Sequence, residues 1–395
     1  MTRLYFDHNA TTFVSQSVID AMTAALATTG NPTAQHHNGR SANAIVSDAR
    51  EKVGLAMGVC AQDIIFNSGG TEGCNTAIWS ALNAGCKHLL ISSMDHPATK
   101  NAAENFVEHF GASSEPIPVD NQGRTDMAWL EARIAKWDEL DGRPFVSLVA
   151  ANSETGVLQD VDRAIDIVSE AGGLILIDAT QVLGKMAMPT TPDYLVVSAH
   201  KIGAPRGIGA LYVAPNAPYT SLIAGGGQER RRRAGTHNVS GIAGFGAACD
   251  AIENLDHIAD IRDHLETRLK ALEPKIAFFG DEAKRLPNTS FFAVPDASSM
   301  TLMMALDLEG VSVSRGTACS SGIVGASRAI TAMGRSDEAP KGAIRVSLGR
   351  DATTKDVDEF ISIWIKLRRI RPKKGRYDRH SNNVSPRWDK RTCLD

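Results

Sequence analysis

The sequence predicts an α/β protein with two domains, a large domain built on a mixed, mostly parallel sheet and a smaller α+β domain. With 395 residues, the chain is long enough for two hydrophobic cores. Short apolar runs alternate with helical patterns up to about residue 255, as in a parallel sheet that is buried on both faces. The pattern then changes, so we place the large domain at 13–255 and the small domain at 1–12 and 256–370.

The elements can be predicted in chain order from the apolar periodicity. In the large domain we predict helices over 17–26 and 41–57 and strands over 64–66, 89–91, 145–150, 174–177 and 194–197. In the small domain we predict a long polar helix over 258–272, strands over 289–294, 311–314 and 343–348, and a last helix over 354–367.

Composition excludes several classes of protein. The formal net charge is -3, which gives no overall attraction to nucleic acid or to an anionic membrane. No apolar run approaches the roughly 20 residues that a membrane helix needs. The first residues lack the pattern of a signal peptide, and we expect a cytoplasmic protein.

The six cysteines are scattered and form no Cys-x-x-Cys pair, which disfavours a disulfide framework or a structural zinc site. Cys60, Cys74, Cys86 and Cys249 lie in or beside apolar patterns, and we expect them to be packing residues. Cys319 lies instead in a glycine- and serine-rich stretch, 316–322, which is typical of an accessible, reactive thiol rather than a core residue.

The C-terminus is basic. From Lys366 to Arg391 the sequence carries eleven basic residues and two acidic ones, with few aliphatic residues. We predict that 371–395 is a disordered basic tail. It is either a solvated extension or a positive segment that steers an acidic partner.

Polar residues and glycines follow three of the predicted strands, where α/β sheets bind their ligands. They are the glycine-rich stretch 67–73 after the first strand, Asp178 and Gln181 after 174–177, and Ser198, His200 and Lys201 after 194–197. Taken singly, each has an ordinary explanation as a turn, a helix cap or a surface lysine.

Together, these residues meet the requirements of pyridoxal phosphate (PLP). PLP takes a lysine for its Schiff base, an anion for its pyridinium nitrogen and N–H groups for its phosphate. In this interpretation Lys201 attaches the cofactor, Asp178 pairs with the ring nitrogen and Gln181 bonds the ring oxygen. Phosphate contacts are expected from Gly70, Thr71, Ser198 and His200.

Eight short blocks occur in the order typical of one enzyme family. They span 67–73, 95–96, 152–157, 178–181, 198–201, 225–230, 233–236 and 316–322. On these blocks the chain resembles a group I cysteine desulfurase of the NifS/IscS type, within the class V aminotransferase branch of the fold-type I PLP enzymes. The resemblance extends from 5–12 to 345–350.

The resemblance implies roles for further residues. His96 would stack on the cofactor ring and assist proton transfer, and Asn152 would lie beside the ring and the substrate. Arg345 would bind the substrate carboxylate, which suits its planar fork of donors. Thr236 would reach the phosphate in the neighbouring subunit, so the resemblance implies a homodimer. Without it, His96 is explained as a turn residue and Arg345 as a surface ion pair.

The resemblance makes Cys319 the sulfur acceptor, and also a transient ligand of an iron–sulfur cluster; no resident metal is expected. Arg315 stands where the family usually has serine, and we expect it either to favour the thiolate of Cys319 or to redirect the segment. The usual tyrosine and glycine after the lysine are here Gly203 and Ala204.

The implied reaction takes sulfur from L-cysteine, leaves L-alanine and forms a persulfide on Cys319. It would supply iron–sulfur cluster assembly, including that of nitrogenase, or thio-cofactor assembly, through an acceptor or scaffold protein. No nucleic-acid or membrane partner is expected. The alternatives are a selenocysteine lyase, another class V PLP enzyme, or a sulfur-relay scaffold that has lost its chemistry.

Overall fold

A computed structural model of the chain describes residues 3–316 and 327–369. The strands are β1 (Leu4–Tyr5), β2 (Ile64–Asn67), β3 (His88–Ser92), β4 (Ser113–Ile117), β5 (Phe145–Val149), β6 (Leu174–Asp178), β7 (Tyr194–Ser198), β8 (Gly209–Val213), β9 (Ala277–Phe278), β10 (Thr289–Ala293), β11 (Val311–Ser312), β12 (Ser314–Arg315) and β13 (Ile344–Ser347). The helices are α1 (Gln16–Ala27), α2 (His37–Met57), α3 (Gly70–Asn83), α4 (Pro97–Phe110), α5 (Met127–Ile134), α6 (Val161–Glu170), α7 (Val239–Asp250), α8 (Asp256–Leu272), α9 (Ser299–Leu308), α10 (Arg328–Ala332) and α11 (Thr354–Arg369).

The largest sheet has the strand order β2-β8-β7-β6-β5-β3-β4. The pairs from β7 to β4 are parallel, whereas β8 runs antiparallel to both β2 and β7. Every residue of β5, β6 and β7 is buried, because helices cover both faces of the sheet. The predicted α/β class with a mixed, mostly parallel sheet is confirmed.

The C-terminal half of the chain builds two smaller sheets. An antiparallel sheet has the order β12-β13-β10-β9, and the N-terminal strand β1 pairs in parallel with β11. Leu4, Phe6, Phe292 and Trp364 are buried in one core cluster with α8 and α11. The division of the chain into domains at residue 255 stays a prediction.

The strand predictions omitted β1, β4, β8 and β9, and one predicted strand was wrong. The edge strand β4 was missed because its sequence is polar and contains Pro116, which an edge strand tolerates and a central strand does not. The predicted strand over 311–314 is two short strands, β11 and β12, which belong to different sheets.

The expectations for Cys60 and for the end of the last helix also need correction. Cys60 is exposed, whereas Cys74, Cys86 and Cys249 are buried as expected. The last helix continues to Arg369, because Lys366 pairs with Glu309 and Arg368 pairs with Glu273, so this part of the basic segment is folded. Cys319 and the predicted tail over 371–395 lie outside the described residues. No helix of the described part is long and apolar enough to span a membrane.

Candidate active site

A cavity of about 400 Å³ lies at the carboxyl ends of β3, β5, β6 and β7. This is where an open α/β sheet binds its ligands. It brings together ten of the residues predicted from the sequence, namely Gly70, Thr71, His96, Asn152, Asp178, Gln181, Ser198, His200, Lys201 and Arg345. Thr236 lies elsewhere, and Cys319 is outside the described residues.

The second half of the glycine-rich stretch 67–73 is helical, because α3 begins at Gly70. The first backbone N–H groups of α3 therefore border the cavity and can bind an anion. A Cβ atom at Gly70 would lie 3.1 Å from Thr180 Oγ1, which is closer than most side-chain contacts. Glycine at this position lets the backbone pack tightly against the end of β6.

Several buried polar atoms around this helix start have no hydrogen-bond partner within residues 3–316 and 327–369. They are Asn67 Nδ2, Thr180 Oγ1 and His200 Nδ1. Burial, with the nearby charges of Lys201 and Arg206, lowers the pKa of His200 to about 4, so its ring is neutral near pH 7. Because buried polar groups are normally satisfied, these atoms fit a site that takes a polar, anionic ligand such as the phosphate of PLP.

Asp178 is the last residue of β6, and its side chain is buried. One carboxylate oxygen accepts the backbone N–H of Thr180 at 2.9 Å. Because Asp178 lines the cavity, its second oxygen can serve a ligand. Asp178 is thus not solvated, and only one of its two carboxylate oxygens is used to cap the turn after β6.

Lys201 lies in a short 3-10 turn after β7. Its Nζ donates to the carbonyl oxygens of Asn9 at 2.7 Å and Ala10 at 2.9 Å. Gly203 ends this turn with φ 86°, and a Cβ atom there would lie 2.7 Å from the Phe13 carbonyl oxygen. Glycine meets both conditions in this chain without strain.

His96 is the N-cap of α4, and its Nδ1 accepts the N–H of Ala98 at 3.1 Å. Burial lowers the pKa of His96, although the negative charge of Asp178 acts to raise it. Because Nδ1 is an acceptor, the neutral ring carries its proton on Nε2. His96 therefore caps α4 through Nδ1, while its Nε2–H is a hydrogen-bond donor in the lining of the cavity.

Asp95 anchors the turn that carries His96. Its carboxylate accepts Ser147 Oγ at 2.6 Å and the backbone N–H of Val149 at 2.5 Å. Burial raises the pKa of Asp95 to about 7 in spite of these hydrogen bonds. The residue ties the start of α4 to β5 and so fixes where His96 lies.

Arg345 lies on β13 and is buried. Its Nη2 donates to the Asp7 carboxylate at 2.6 Å and its Nη1 to the Ser153 carbonyl oxygen at 2.9 Å. The buried Nε has no partner in the described part of the chain. The guanidinium is already paired, so an incoming carboxylate must share it with Asp7.

Asn152 lines the cavity, but its side-chain oxygen is committed to a turn. It accepts the N–H groups of Glu154 at 3.0 Å and Thr155 at 2.9 Å. Its Nδ2 donates to the Met94 carbonyl oxygen at 3.0 Å, which leaves one N–H for a ligand. The structure thus limits Asn152 to a donor role.

Both sides of the segment 317–326 border the cavity. Ser314 and Arg315 line it before the segment, and Arg328 and Ala329 line it after the segment. Glu154, also in the lining, accepts a hydrogen bond from Ser327 Oγ. The residues that precede and follow the segment containing Cys319 therefore line the same cavity as Lys201.

Thr236 is exposed and lines a separate cavity of about 80 Å³. Its loop is held by Glu229, which binds Arg50 at 2.5 Å and His237 at 2.8 Å. Burial alone would raise the pKa of Glu229, but hydrogen bonds from His237 and Arg50 lower it to about 2. These contacts hold Glu229, Arg230 and Arg231 at positive φ, a strained conformation for non-glycine residues.

Asp7, Asn9, Asp95 and Glu154 also line the cavity, although they were not predicted as site residues. Asp7 and Asn9 directly follow the apolar run Leu4–Phe6, so the strand-end rule applied to the other strands could have found them. Asp95 and Glu154 lie inside the recognised blocks 95–96 and 152–157. Nothing in the sequence alone pairs Asp7 with Arg345.

Comparison with known proteins identifies the family. The family model described as "Aminotransferase class-V" matches residues 4–360. A cysteine desulfurase of Cereibacter sphaeroides is 37% identical over 372 residues, which cover 92% of this chain and 95% of that protein. A cysteine desulfurase of Sinorhizobium fredii is 35% identical over 389 residues, covering 94% of this chain and 99% of that protein.

Solved structures agree with these relatives. A NifS-like protein from Rickettsia africae has 30% sequence identity and a TM-score of 0.83, covering 93% of this chain and 100% of that chain. A second NifS-like protein has 31% identity and a TM-score of 0.85 with the same coverage. The chain therefore belongs to the class V aminotransferase family of PLP-dependent enzymes.

Proposed function

We propose that this protein is a cysteine desulfurase, which converts L-cysteine to L-alanine and keeps the sulfur as a persulfide on Cys319. Its curated relatives with this activity match nearly the whole chain. The observation that carries the proposal is that Lys201 and both sides of the Cys319 segment line one cavity. A nucleophilic thiol and a cofactor lysine can then act on the same substrate.

In this proposal Lys201 would attach PLP, Asp178 would pair with the ring nitrogen and Gln181 would donate to the ring oxygen. The phosphate would be held by the remaining predicted contacts, Gly70, Thr71, Ser198 and His200. When bound, PLP supplies an electron sink for the charge that develops at the substrate Cα. The negative charge of Asp178 would favour the protonated ring nitrogen on which that sink depends.

The other residues bind the substrate and move protons. Arg345 holds the substrate carboxylate through its unpartnered Nε and the Nη2 that it shares with Asp7. Lys201 takes the Cα proton, and the Asn9 and Ala10 carbonyl oxygens then accept hydrogen bonds from its ammonium group. His96, neutral with a proton on Nε2, can return a proton to the product.

Sulfur transfer is a nucleophilic attack by the Cys319 thiolate on the sulfur of the bound cysteine. An S–S bond forms while the substrate Cβ–S bond breaks, and the electron pair of that bond stays on the carbon skeleton. Protonation of the skeleton at Cβ and Cα gives alanine. Cysteine and one protein thiol are thus converted to alanine and one persulfide, with no external oxidant.

We also propose that the enzyme is a cytoplasmic homodimer in which Thr236 completes the phosphate site of the partner subunit. Thr236 is exposed and does not line the large cavity of its own subunit. Phe13 and Leu26, near or in α1, are exposed apolar residues on the described surface. Light scattering should give twice the mass of the chain, and Thr236→Val should weaken PLP binding without dissociating the dimer.

The acceptor is proposed to be an acidic protein of cluster or thio-cofactor assembly. The charges of the C-terminal segment beyond Arg369 are predominantly positive. A truncation after Arg369 preserves α11 and should slow sulfur delivery at low salt only, since surface charges are screened beyond about 8 Å at physiological ionic strength. Equal delivery rates at low salt would remove any role of the tail.

The activity is tested by incubating the PLP-loaded protein with L-cysteine and a reductant. Equal amounts of sulfide and alanine are expected, together with an added mass of one sulfur on the Cys319 peptide before reduction. Alanine from selenocysteine but not from cysteine would favour the selenocysteine lyase. Absence of bound PLP after purification and reconstitution would favour the scaffold.

A further inference from the structure

Lys185 is a second half-buried lysine close to Lys201, and it does not line the active-site cavity. It lies in the turn that follows β6, four residues after Gln181. Its Nζ donates to Gln181 Oε1 at 2.7 Å and to Asn9 Oδ1 at 2.8 Å. In the described part of the chain no carboxylate lies within ion-pair distance of this nitrogen. Burial lowers the pKa of Lys185 well below the ordinary lysine value, and the charges of Lys201 and Arg345 lower it further.

A buried amine that pairs only with neutral amides is costly for the folded state. Its hydrogen bonds, however, decide the orientation of the Gln181 amide. The Gln181 oxygen faces Lys185, while Nε2 donates to the Asn9 carbonyl oxygen at 3.0 Å. A carboxamide nitrogen carries two hydrogens, so one N–H of Gln181 is left for a ligand in the cavity.

The side chain of Asn9 is also held by hydrogen bonds from its neighbours. Its Oδ1 also accepts Asn288 Nδ2 at 3.1 Å, and its Nδ2 donates to Thr289 Oγ1 at 2.8 Å. The Asn9 peptide oxygen that receives Lys201 and Gln181 is therefore fixed in place. Lys185 joins the two amides into one network behind the cavity.

We propose that Lys185 is a positioning residue that keeps the donor side of the Gln181 amide facing the cofactor. This inference rests on the proposed binding of PLP, whose ring oxygen is an acceptor. Without Lys185, the buried Gln181 oxygen has no donor and the side chain must turn to find one. The Asn9 carbonyl still favours the original orientation, so we expect a partial loss of cofactor affinity.

The test is a double-mutant cycle on PLP binding to the cofactor-stripped protein. Lys185→Met has similar length but no donor, and it should raise the PLP dissociation constant about tenfold. Gln181→Ala should raise it at least as much, because it removes the amide donor altogether. The double variant should bind like Gln181→Ala alone, because residues that act through one contact are not additive. The exposed Lys136→Met is the matched control and should bind PLP like the wild type.

Two further measurements separate positioning from a general structural role. The cofactor-free Lys185→Met protein should keep or raise its melting temperature, because an apolar side chain replaces an amine with no carboxylate partner in the described part of the chain. Lys185→Arg retains donors and should bind PLP within about threefold of wild type. The visible band of bound PLP should shift equally in Lys185→Met and Gln181→Ala.

The inference would be overturned if the two losses of PLP affinity multiplied in the double variant. It would also be overturned if Lys185→Met bound PLP as tightly as the wild type. A Lys185→Met protein that is unfolded or strongly destabilised would show a structural role instead, and Lys185→Arg binding as weakly as Lys185→Met would exclude orientation by donors. Failure of the wild-type protein to bind PLP at all would contradict the proposed function, a result distinct from these.

Discussion

The two walls of the active-site cavity differ in how their polar groups are paired. The cofactor wall comprises Gly70, Thr71, Asp178, Thr180, Ser198 and His200, and the substrate wall comprises Asp7, Asn152, Glu154 and Arg345. On the cofactor wall, Thr180 Oγ1 and His200 Nδ1 are buried without partners among the described residues. On the substrate wall, Arg345 is paired with Asp7, and Glu154 with Ser327.

This difference separates two modes of binding. A ligand on the cofactor wall supplies missing hydrogen bonds, and each buried unsatisfied group costs about 1–3 kcal/mol in its absence. On the substrate wall, a carboxylate can bind the Arg345 Nε, which has no partner among the described residues, but it must share Nη2 with Asp7, so the existing ion pair offsets part of its gain. We therefore expect the cofactor to be held more tightly than the substrate.

The largest expected effect concerns Lys201, the residue between the walls. Lys201→Ala should remove the absorbance band of lysine-bound PLP and reduce alanine formation by about 10³-fold or more, because both attachment and proton transfer at Cα are lost. Absorbance and amino-acid analysis measure both. The exposed Lys136→Ala is the control, and a borohydride-reducible adduct at another lysine would refute the assignment.

The next effect tests the unpaired groups of the cofactor wall. Thr180→Val removes a buried hydroxyl that has no partner among the described residues, so the cofactor-free protein should become more stable by about 1 kcal/mol. PLP affinity should fall about tenfold if, as we propose, the same hydroxyl bonds the ligand. Thermal unfolding and PLP titration measure the two changes.

Thr125→Val is the matched control, since Thr125 Oγ1 is buried and donates to Gln159 Oε1 at 2.7 Å. It should lose stability and leave PLP binding unchanged. A stability loss in Thr180→Val equal to that of Thr125→Val would mean that Thr180 is satisfied in solution.

The paired substrate wall is tested at Asp7. Asp7→Asn removes the carboxylate that competes for Arg345, so the KM for cysteine should fall about fivefold with little change in kcat. The cofactor-free protein should lose about 2 kcal/mol of unfolding free energy, because a buried guanidinium loses its counter-charge. Steady-state kinetics and urea unfolding measure these effects. An increased KM would show that Asp7 positions Arg345 rather than competing for it.

The smallest effect is a pH dependence at His200. Its pKa is about 4 in the folded protein and about 6.5 in an unfolded chain, so stability is fully present above pH 6.5 and is lost as the pH falls toward 4. His200→Gln should reduce this loss by about 1 kcal/mol in the cofactor-free protein, after allowance for solvent screening. Urea unfolding at pH 7 and pH 5 measures it, and equal losses in both proteins would contradict the neutral buried ring.

Most of the cofactor wall was predictable because local sequence builds it. Gly70, Asp178 and His200 each lie at or within three residues of the end of a buried strand, and β2, β6 and β7 run in the same direction, so their carboxyl ends lie at one edge of the sheet. Thr180 was missed because a hydroxyl without a partner can be recognised only when its surroundings are known.

The substrate wall depends on contacts between distant parts of the chain. Asp7 and Arg345 are 338 residues apart, and their pairing arises because Asp7 lies beside Ser347 of β13 in a parallel bridge. Lys185 was overlooked for a similar reason, since its burial depends on the N-terminal segment packing over the β6 turn. Periodicity predicts neither contact.

The central claim is that the cofactor wall and the Cys319 thiol act on one substrate in one cavity. It is tested most directly by a single-turnover measurement on Cys319→Ser loaded with PLP. We expect the variant to retain the PLP absorbance band and the spectral change on adding L-cysteine, but to form neither persulfide nor stoichiometric alanine. Alanine and sulfide formed at the wild-type rate would contradict the claim.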